Sequence, residues 1–377
     1  MVKSVTAYAM VTYLLYMAFT LAILIYGTGI VLPEITSRTY TLFIVAPMLT
    51  SLFSISGNTL AAYYIAIVVA ILASAAWIFL RGYKGFLSEL TMKGKSRDHS
   101  VIYDLCALFF AIIFMDIVIA LAMGAAGMSP GDPTESSDTW ELLFALANAS
   151  VWEELVVRVL LLGIPLIIVD LSRSKLREKK WSYLLGGGFT FGTPEVALVL
   201  ISSMIFGVAH YDAWGAWKIF PSAVAGVAFA YMFLKHGLAS AIMLHFAFDY
   251  LGMPMMVFPD SLTMTFLTGL AILVWAAFGV IMFAYFIVRI GEYLIKKPLL
   301  DEKPQVVGAP AFQPMTYRYS PPTWQYQQQT VQAPGQHQQP THAPAAPRNG
   351  YVCQLCGSTQ ARWVDGKFQC MRCGNLS

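Results

Sequence analysis

Long apolar runs alternate with short polar connections along the chain. A helical crossing of a bilayer needs about 20 predominantly apolar residues. Eight runs qualify, at roughly 5–31, 59–80, 101–128, 140–170, 194–211, 219–235, 238–258 and 264–289. The pattern predicts an all-α polytopic membrane protein with about eight transmembrane helices. A ninth run, Tyr40–Phe53, is apolar but too short for a helical crossing and reads as interfacial or re-entrant. If it did span, everything before Arg81 would change orientation.

The polar connections set the orientation, because short cytoplasmic loops collect Lys and Arg. Arg81, Lys84, Lys93, Lys95 and Arg97 follow the second run, Arg173, Lys175, Arg177, Lys179 and Lys180 the fourth, and Arg289, Lys296 and Lys297 the eighth. The loop Ser129–Trp140 carries three acids and no basic residue, and the connections "YDAWGAW" and "PDSL" also lack Lys and Arg before Lys218. Eight crossings with both termini in the cytoplasm agree with every one of these signs.

Composition sharpens the class. The chain is 57% hydrophobic and 12% charged, with a mean hydropathy of +0.62, against about 25% charged residues in an ordinary soluble domain. A net charge of +3 is too small to point to nucleic acid as a partner. The apolar run after Lys3 is too long for a signal-peptide core, so the N-terminal segment reads as a crossing. Residues 1–300 therefore form the membrane domain. Past Leu300 the pattern stops, and residues 303–350 hold ten Gln and nine Pro. Such a segment cannot bury enough apolar surface to offset its ordering entropy, so 301–350 reads as a disordered tether.

Residues 351–377 form a separate small module. Cys353 and Cys356 make one CxxC pair, Cys370 and Cys373 another, with thirteen residues between the pairs. That spacing predicts a zinc ribbon in which four thiolates hold a structural Zn²⁺ tetrahedrally. The intervening "ARWVDGKFQ" carries an Asp-Gly pair suited to a hairpin turn. A cytoplasmic location disfavours disulfides, and the module contains no catalytic constellation. It reads as a site for a protein partner.

The candidate chemistry lies inside the apolar runs. Ionisable residues at bilayer depth cost at least about 2.5 kcal/mol each, so they usually face a partner or a cavity. Glu153, Glu154 and Arg158 lie in the fourth run, His210 near the end of the fifth, and His245 and Asp249 in the seventh. Glu154 and Arg158 stand four apart with the acid first, the favourable order for an ion pair on one helix. Glu153 is turned about 100° away and has no partner on its own helix. Phe206 and His210 share a helix face, as do His245 and Asp249. A spare carboxylate and two imidazoles on three helices can activate a water, the carboxylate as base and the imidazoles as hydrogen-bonding partners or metal ligands. The residues alone leave a hydrolase and a proton- or ion-coupled transporter both open. By limits read from the runs, His210 lies nearer the outer end of its helix than His245. His236, Asp116, Asp170 and Glu195 read as structural.

The order of these motifs resembles the CPBP (Abi) family of intramembrane proteases, which includes the type II CAAX prenyl endopeptidases. "EELVVR" (Glu153, Glu154, Arg158), "FGVAH" (Phe206, His210) and "HFAFD" (His245, Asp249) match its three motifs in sequence over residues 140–255. The resemblance implies an intramembrane endopeptidase acting on a membrane-associated or lipidated peptide. Glu153 would be the base and His210 would orient the water. His245 and Asp249 would complete the site as oxyanion stabilisers or metal ligands, and Glu154 and Arg158 would balance its charge. Two positions depart from the family pattern. Val159 follows Arg158 where Gly is common, and Asp249 stands where many members have Asn. An ionised Asp249 would repel an oxyanion, so it must be protonated, orient His245, or bind a metal. The sequence has no HExxH, and an active-site divalent metal on His210 and His245 stays one alternative. A catalytically silent membrane scaffold that presents the zinc ribbon, and a transporter using the same residues as a relay, are the competing readings.

Overall fold

The computed structural model describes residues 2–45, 49–91, 99–127, 137–173, 176, 178, 180–296, 361–364 and 367–370. The chain divides into two units, Met1–Ala311 and Phe312–Ser377. The first opens with helix α1 (Val2–Ile35), strands β1 (Thr39–Val45) and β2 (Leu49–Ser56), and helices α2 (Gly57–Thr91) and α3 (Val101–Ala125). Helix α4 (Thr139–Glu154) runs on through a π-helical stretch, Leu155–Gly163, into α5 (Ile164–Ser172), followed by the short α6 (Ser182–Leu185). Then come α7 (Thr193–Ala209), α8 (Tyr211–Trp214), α9 (Ile219–His236), α10 (Leu238–Asp249), α11 (Met253–Val257) and α12 (Leu262–Ile295).

Among the described residues, eight helical segments are long and apolar enough to cross a membrane: Ala7–Ile35, Gly57–Leu90, Val101–Ala125, Thr139–Ser172, Thr193–Trp214, Ala216–His236, Leu238–Val257 and Leu262–Ile295. They are the eight runs legible in the sequence, most of them lengthened at their ends. Polar side chains start several of them. Ser100 accepts the Tyr103 amide at the head of α3, Ser261 accepts that of Met264 at the head of α12, and Glu195 reaches back to the Gly192 amide at 2.9 Å before α7. Asp104, buried in α3, receives Lys235 Nζ and His236 Nε2, each at 2.7 Å. His236, read as structural from sequence, thus ties α3 to the end of α9.

Helix α10 is the centre of the bundle, with every residue from Ser240 to Ala247 buried. It joins α9 through Gly237 alone, whose φ of +106° is one that residues with a Cβ rarely adopt. On the bundle's other side α12 packs against α3. Trp275, buried, meets the rings of Tyr13, Tyr16, Phe109 and Phe110. One turn on, Gly279 lets the α12 backbone lie against α3, where a Cβ would fall 2.2 Å from the Phe110 carbonyl oxygen. In lipid, helix association depends on such close packing more than on burial.

The short run after α1 forms an antiparallel hairpin. Its register pairs Thr39 with Ser56 and Val45 with Leu49, and an extra residue on β2 breaks the ladder between Leu42 and Phe43. The hairpin packs along α4: the Tyr40 ring meets Phe144 edge-on, and the Phe43 carbonyl accepts from Trp152 Nε1 at 2.6 Å. β1 therefore runs alongside α4 in the direction in which α4 descends. Trp152 stands about 20 Å along the helix axis from Thr139, so the hairpin lies beside α4 rather than beyond its N-terminal end.

In the second unit, β3 (Ala361–Val364) and β4 (Lys367–Cys370) pair antiparallel, Val364 opposite Lys367, with Asp365 and Gly366 between them. That matches the hairpin expected of "ARWVDGKFQ". The tether 301–350 and the ligand candidates Cys353, Cys356 and Cys373 lie outside the described residues.

Gly279→Ala should lower stability by about 1–3 kcal/mol through forced separation of α3 and α12. Thermal unfolding of the detergent-solubilised protein measures this, and an unchanged midpoint would contradict the packing described.

Candidate active site

The fourth crossing changes helix type at its charged residues. Glu153 and Glu154 end the α-helical part, and from Leu155 to Gly163 the turns widen to the π form, closing with the Ile164 amide on the Val159 carbonyl. Such wide turns are rare and often mark functional sites. Gly163, at the end of the wide stretch, sits so close to Tyr183 that a Cβ would meet its carbonyl oxygen at 1.9 Å. The helix is thus pressed against the segment around α6 just below the charged turn.

Within this stretch Glu154 and Arg158 form the ion pair expected from their spacing. Arg158 Nε lies 2.9 Å and Nη2 3.5 Å from the Glu154 carboxylate, and both side chains are fully buried. The guanidinium also sits over the rings of Phe206 and Phe229, at 5.4 and 5.8 Å, a favourable arrangement for a desolvated cation. Glu154 has a second partner that helical spacing could not reveal: His245 Nδ1, at 3.0 Å from Oε1. Arg158, Glu154 and His245 therefore form one chain of contacts linking the fourth crossing to the central helix α10.

His245 has a carboxylate at each ring nitrogen. Its Nε2 lies 3.3 Å from Asp249 Oδ2 and 3.9 Å from Glu153 Oε2. The ring stacks on Phe229, with centroids 4.6 Å apart and planes 17° apart, and meets Phe206 edge-on. Only an imidazolium could donate to carboxylates from both nitrogens. Asp249 Oδ2 also lies 3.5 Å from Ser150 Oγ, whose closer contact is the Leu146 carbonyl at 2.7 Å. Of the roles open to Asp249, orienting His245 is the one this geometry supports.

Glu153 approaches His245 from the ring nitrogen opposite the one that Glu154 holds, and Glu154 is also within its electrostatic reach. Glu153 is likewise within electrostatic reach of His210, His245 and Asp249. Its Oε2 is enclosed and has no hydrogen-bonding partner among the described residues. His210 closes α7, with Nδ1 2.8 Å from the Phe206 carbonyl. That oxygen can only accept, so Nδ1 carries the proton and Nε2 of a neutral ring is left as an acceptor. The Phe206 ring meets the His210 ring at 4.7 Å and the His245 ring at 6.0 Å. One aromatic side chain thus spaces the two imidazoles, and the difference in depth inferred from the helix limits does not keep them apart. Gly207 makes this possible: α7 approaches α9 there so closely that a Cβ would lie 2.4 Å from the Ile219 carbonyl oxygen.

All seven residues singled out in the three motifs therefore converge: Glu153, Glu154, Arg158, Phe206, His210, His245 and Asp249. No local pattern marked Phe229, which stacks on His245, or the polar cluster beside Glu153. In that cluster Asn148 joins the hairpin to the bundle, receiving Tyr63 Oη at 2.5 Å and donating to Tyr40 Oη at 3.0 Å. Asn148 is a polar residue at bilayer depth and could have been flagged on the same ground as the acids.

Metal ligation by His210 and His245 finds little support in the donor set. Both nitrogens of His245 face carboxylates and Nδ1 of His210 is engaged, leaving His210 Nε2 as the one imidazole nitrogen not held by a protein group. Among the described residues no group of three or more His, Cys, Asp or Glu side chains is placed to hold an ion.

A partly exposed acid with one enclosed oxygen, a hydrogen-bond-accepting imidazole and a histidine set between carboxylates thus come together from three long apolar helices. The segment that carries them, residues 135–251, matches the family model described as Rce1-like, type II CAAX prenyl endopeptidase. Members of that family are peptide-bond hydrolases, and the similarity covers 135–251 of a chain whose described residues include eight helices long and apolar enough to cross a membrane. No curated protein and no solved structure matches the chain.

Arg158→Ala would leave the Glu154 carboxylate buried beside His245 without its cation. A loss of about 3–5 kcal/mol is expected, read as a lowered unfolding midpoint, with Arg158→Lys intermediate because it keeps the charge but not the two-pronged contact.

Proposed function

We propose that the protein is an intramembrane endopeptidase that hydrolyses a peptide bond of a membrane-associated or lipidated substrate with a water held between Glu153 and His210. The observation that carries this reading is that two acceptors lie within electrostatic reach of each other, the Glu153 carboxylate, whose side chain is 34% exposed, and His210 Nε2. A water between them donates both of its hydrogens and turns a lone pair toward a scissile carbonyl. As that lone pair forms the new C–O bond, Glu153 accepts the water proton and later delivers it to the leaving amine. His245 Nε2–H, set beside Asp249 at 3.3 Å, is the donor that would turn to the developing oxyanion, and a donor fixed in a water-poor site is worth more than in solution. Asp249 and Glu154 hold that ring from its two ends. Arg158 offsets the charge of Glu154, so that the site gathers three carboxylates without three uncompensated charges.

In this reading both termini are cytoplasmic. Residues 351–377 bind one structural zinc through Cys353, Cys356, Cys370 and Cys373 and recruit a protein partner or substrate.

Purified protein reconstituted in liposomes should cleave members of a library of lipidated and membrane-inserted peptides. Glu153→Gln, His210→Ala and His245→Ala should each reduce that cleavage by about two orders of magnitude or more while the protein still inserts and keeps its helicity. Full proteolysis by Glu153→Gln would sink the mechanism. Elemental analysis of the full chain should find one zinc per molecule, lost in a Cys353→Ser/Cys356→Ser double variant. Unchanged zinc in that variant would overturn the ribbon assignment.

A further inference from the structure

The hairpin of β1 and β2 lies outside the segment that matches the protease family, yet it reaches the catalytic carboxylate. Trp152, the neighbour of Glu153, donates to the Phe43 carbonyl, and Tyr40 is within electrostatic reach of Glu153 itself. Two observations fix which edge of β1 faces outward. The Phe43 carbonyl is bonded from outside the hairpin by Trp152. Thr41 and Ser54, directly opposite, join their hydroxyls at 2.8 Å, as suits the narrow pairs that exchange no backbone bonds. Alternation then directs the N–H and C=O groups of Thr41, Phe43 and Val45 away from β2. Among the described residues no third strand pairs with that edge. Phe43 is 42% exposed, and Trp152 of α4 takes its carbonyl, the end of the edge that α4 covers.

An open sheet edge at membrane depth is not tolerated against lipid and persists only where it lines a wet cavity or is covered by protein. A peptide bond within a substrate helix is a poor target, because its carbonyl and amide are already engaged in the helix. Strand addition to an exposed edge would satisfy both requirements together. Resting on the endopeptidase reading above, we propose that the outer edge of β1 is the substrate-docking strand. A membrane-inserted peptide unwinds to an extended form, pairs with the N–H and C=O of Thr41 and the N–H of Phe43, and so carries its scissile carbonyl past Glu153. Trp152 holds one edge carbonyl and marks the end of the pairing nearest the base.

Because Thr41 and Ser54 form a pair without backbone bonds, proline at either position removes an outward N–H and no bond of the ladder. Both variants lose the same hydroxyl contact. They differ only in the edge they affect. The full-length protein is assayed in liposomes on a synthetic membrane-spanning peptide that the wild type cleaves and Glu153→Gln does not. Thr41→Pro should lower kcat/KM by about tenfold or more, whereas Ser54→Pro should stay within about twofold. In the same peptide, N-methylation of alternate backbone nitrogens beside the cleaved bond should block cleavage, and methylation of the intervening ones should not. Equal losses in the two proline variants, no loss in either, or no alternation along the peptide would each overturn strand docking while leaving the peptidase reading intact. Absence of any Glu153-dependent cleavage by the wild type would overturn both.

Discussion

The site depends on the buried contact between Arg158 and Glu154. A carboxylate on the lipid-embedded part of a helix is costly to insert, and a guanidinium one turn away on the same helix lowers that cost before any tertiary structure exists. Once the helices pack, the same carboxylate meets His245 at 3.0 Å and sets the orientation of its ring. The pair thus has two parts: within the fourth crossing it makes insertion feasible, and between crossings it fixes the central histidine. Aromatic rings complete it, with Phe206 and Phe229 bracketing the guanidinium and packing on His245.

This arrangement leaves Glu153 distinct from its neighbour. Two adjacent glutamates with the same intrinsic chemistry have different surroundings because one residue of rotation sends one to a cation and the other to a pair of imidazoles. Glu154 is committed by its contacts with Arg158 and His245. Glu153 keeps an oxygen without a hydrogen-bonding partner in the protein, and an uncommitted carboxylate is what general-base chemistry needs.

Much of this was legible in the sequence. Glu153, His210, His245 and Asp249 stand out because charge and imidazole are rare in apolar runs, and the i,i+4 spacing of Glu154 and Arg158 states their pairing directly. The eight crossings follow from run length alone. Other features were not legible, each for a physical reason. The widening of the helix after Glu154 leaves no periodic trace in a stretch that is apolar on all sides. The contact between Glu154 and His245 joins residues 91 apart, a separation that no local pattern encodes. The run Tyr40–Phe53 showed its length and polarity but not its strand pairing, because a short apolar segment carries little period to read. The cysteine pairs near the C-terminus stand out by spacing, and of their module the strands Ala361–Val364 and Lys367–Cys370 are described.

The single-residue link at Gly237 has a consequence for how such a chain can diverge. His245 lies eight residues past a turn with no slack, so its height and facing are counted from that glycine. One residue inserted or removed between them would rotate the imidazole about 100° and shift it about 1.5 Å along the axis, separating it from Glu154, Asp249 and the two aromatic rings together. Length variation should therefore be purged from 237–249 and tolerated in the connection before Thr139 and in the Gln- and Pro-rich tether. In relatives of this chain, gaps would collect where the protein only connects and be absent where it measures distance.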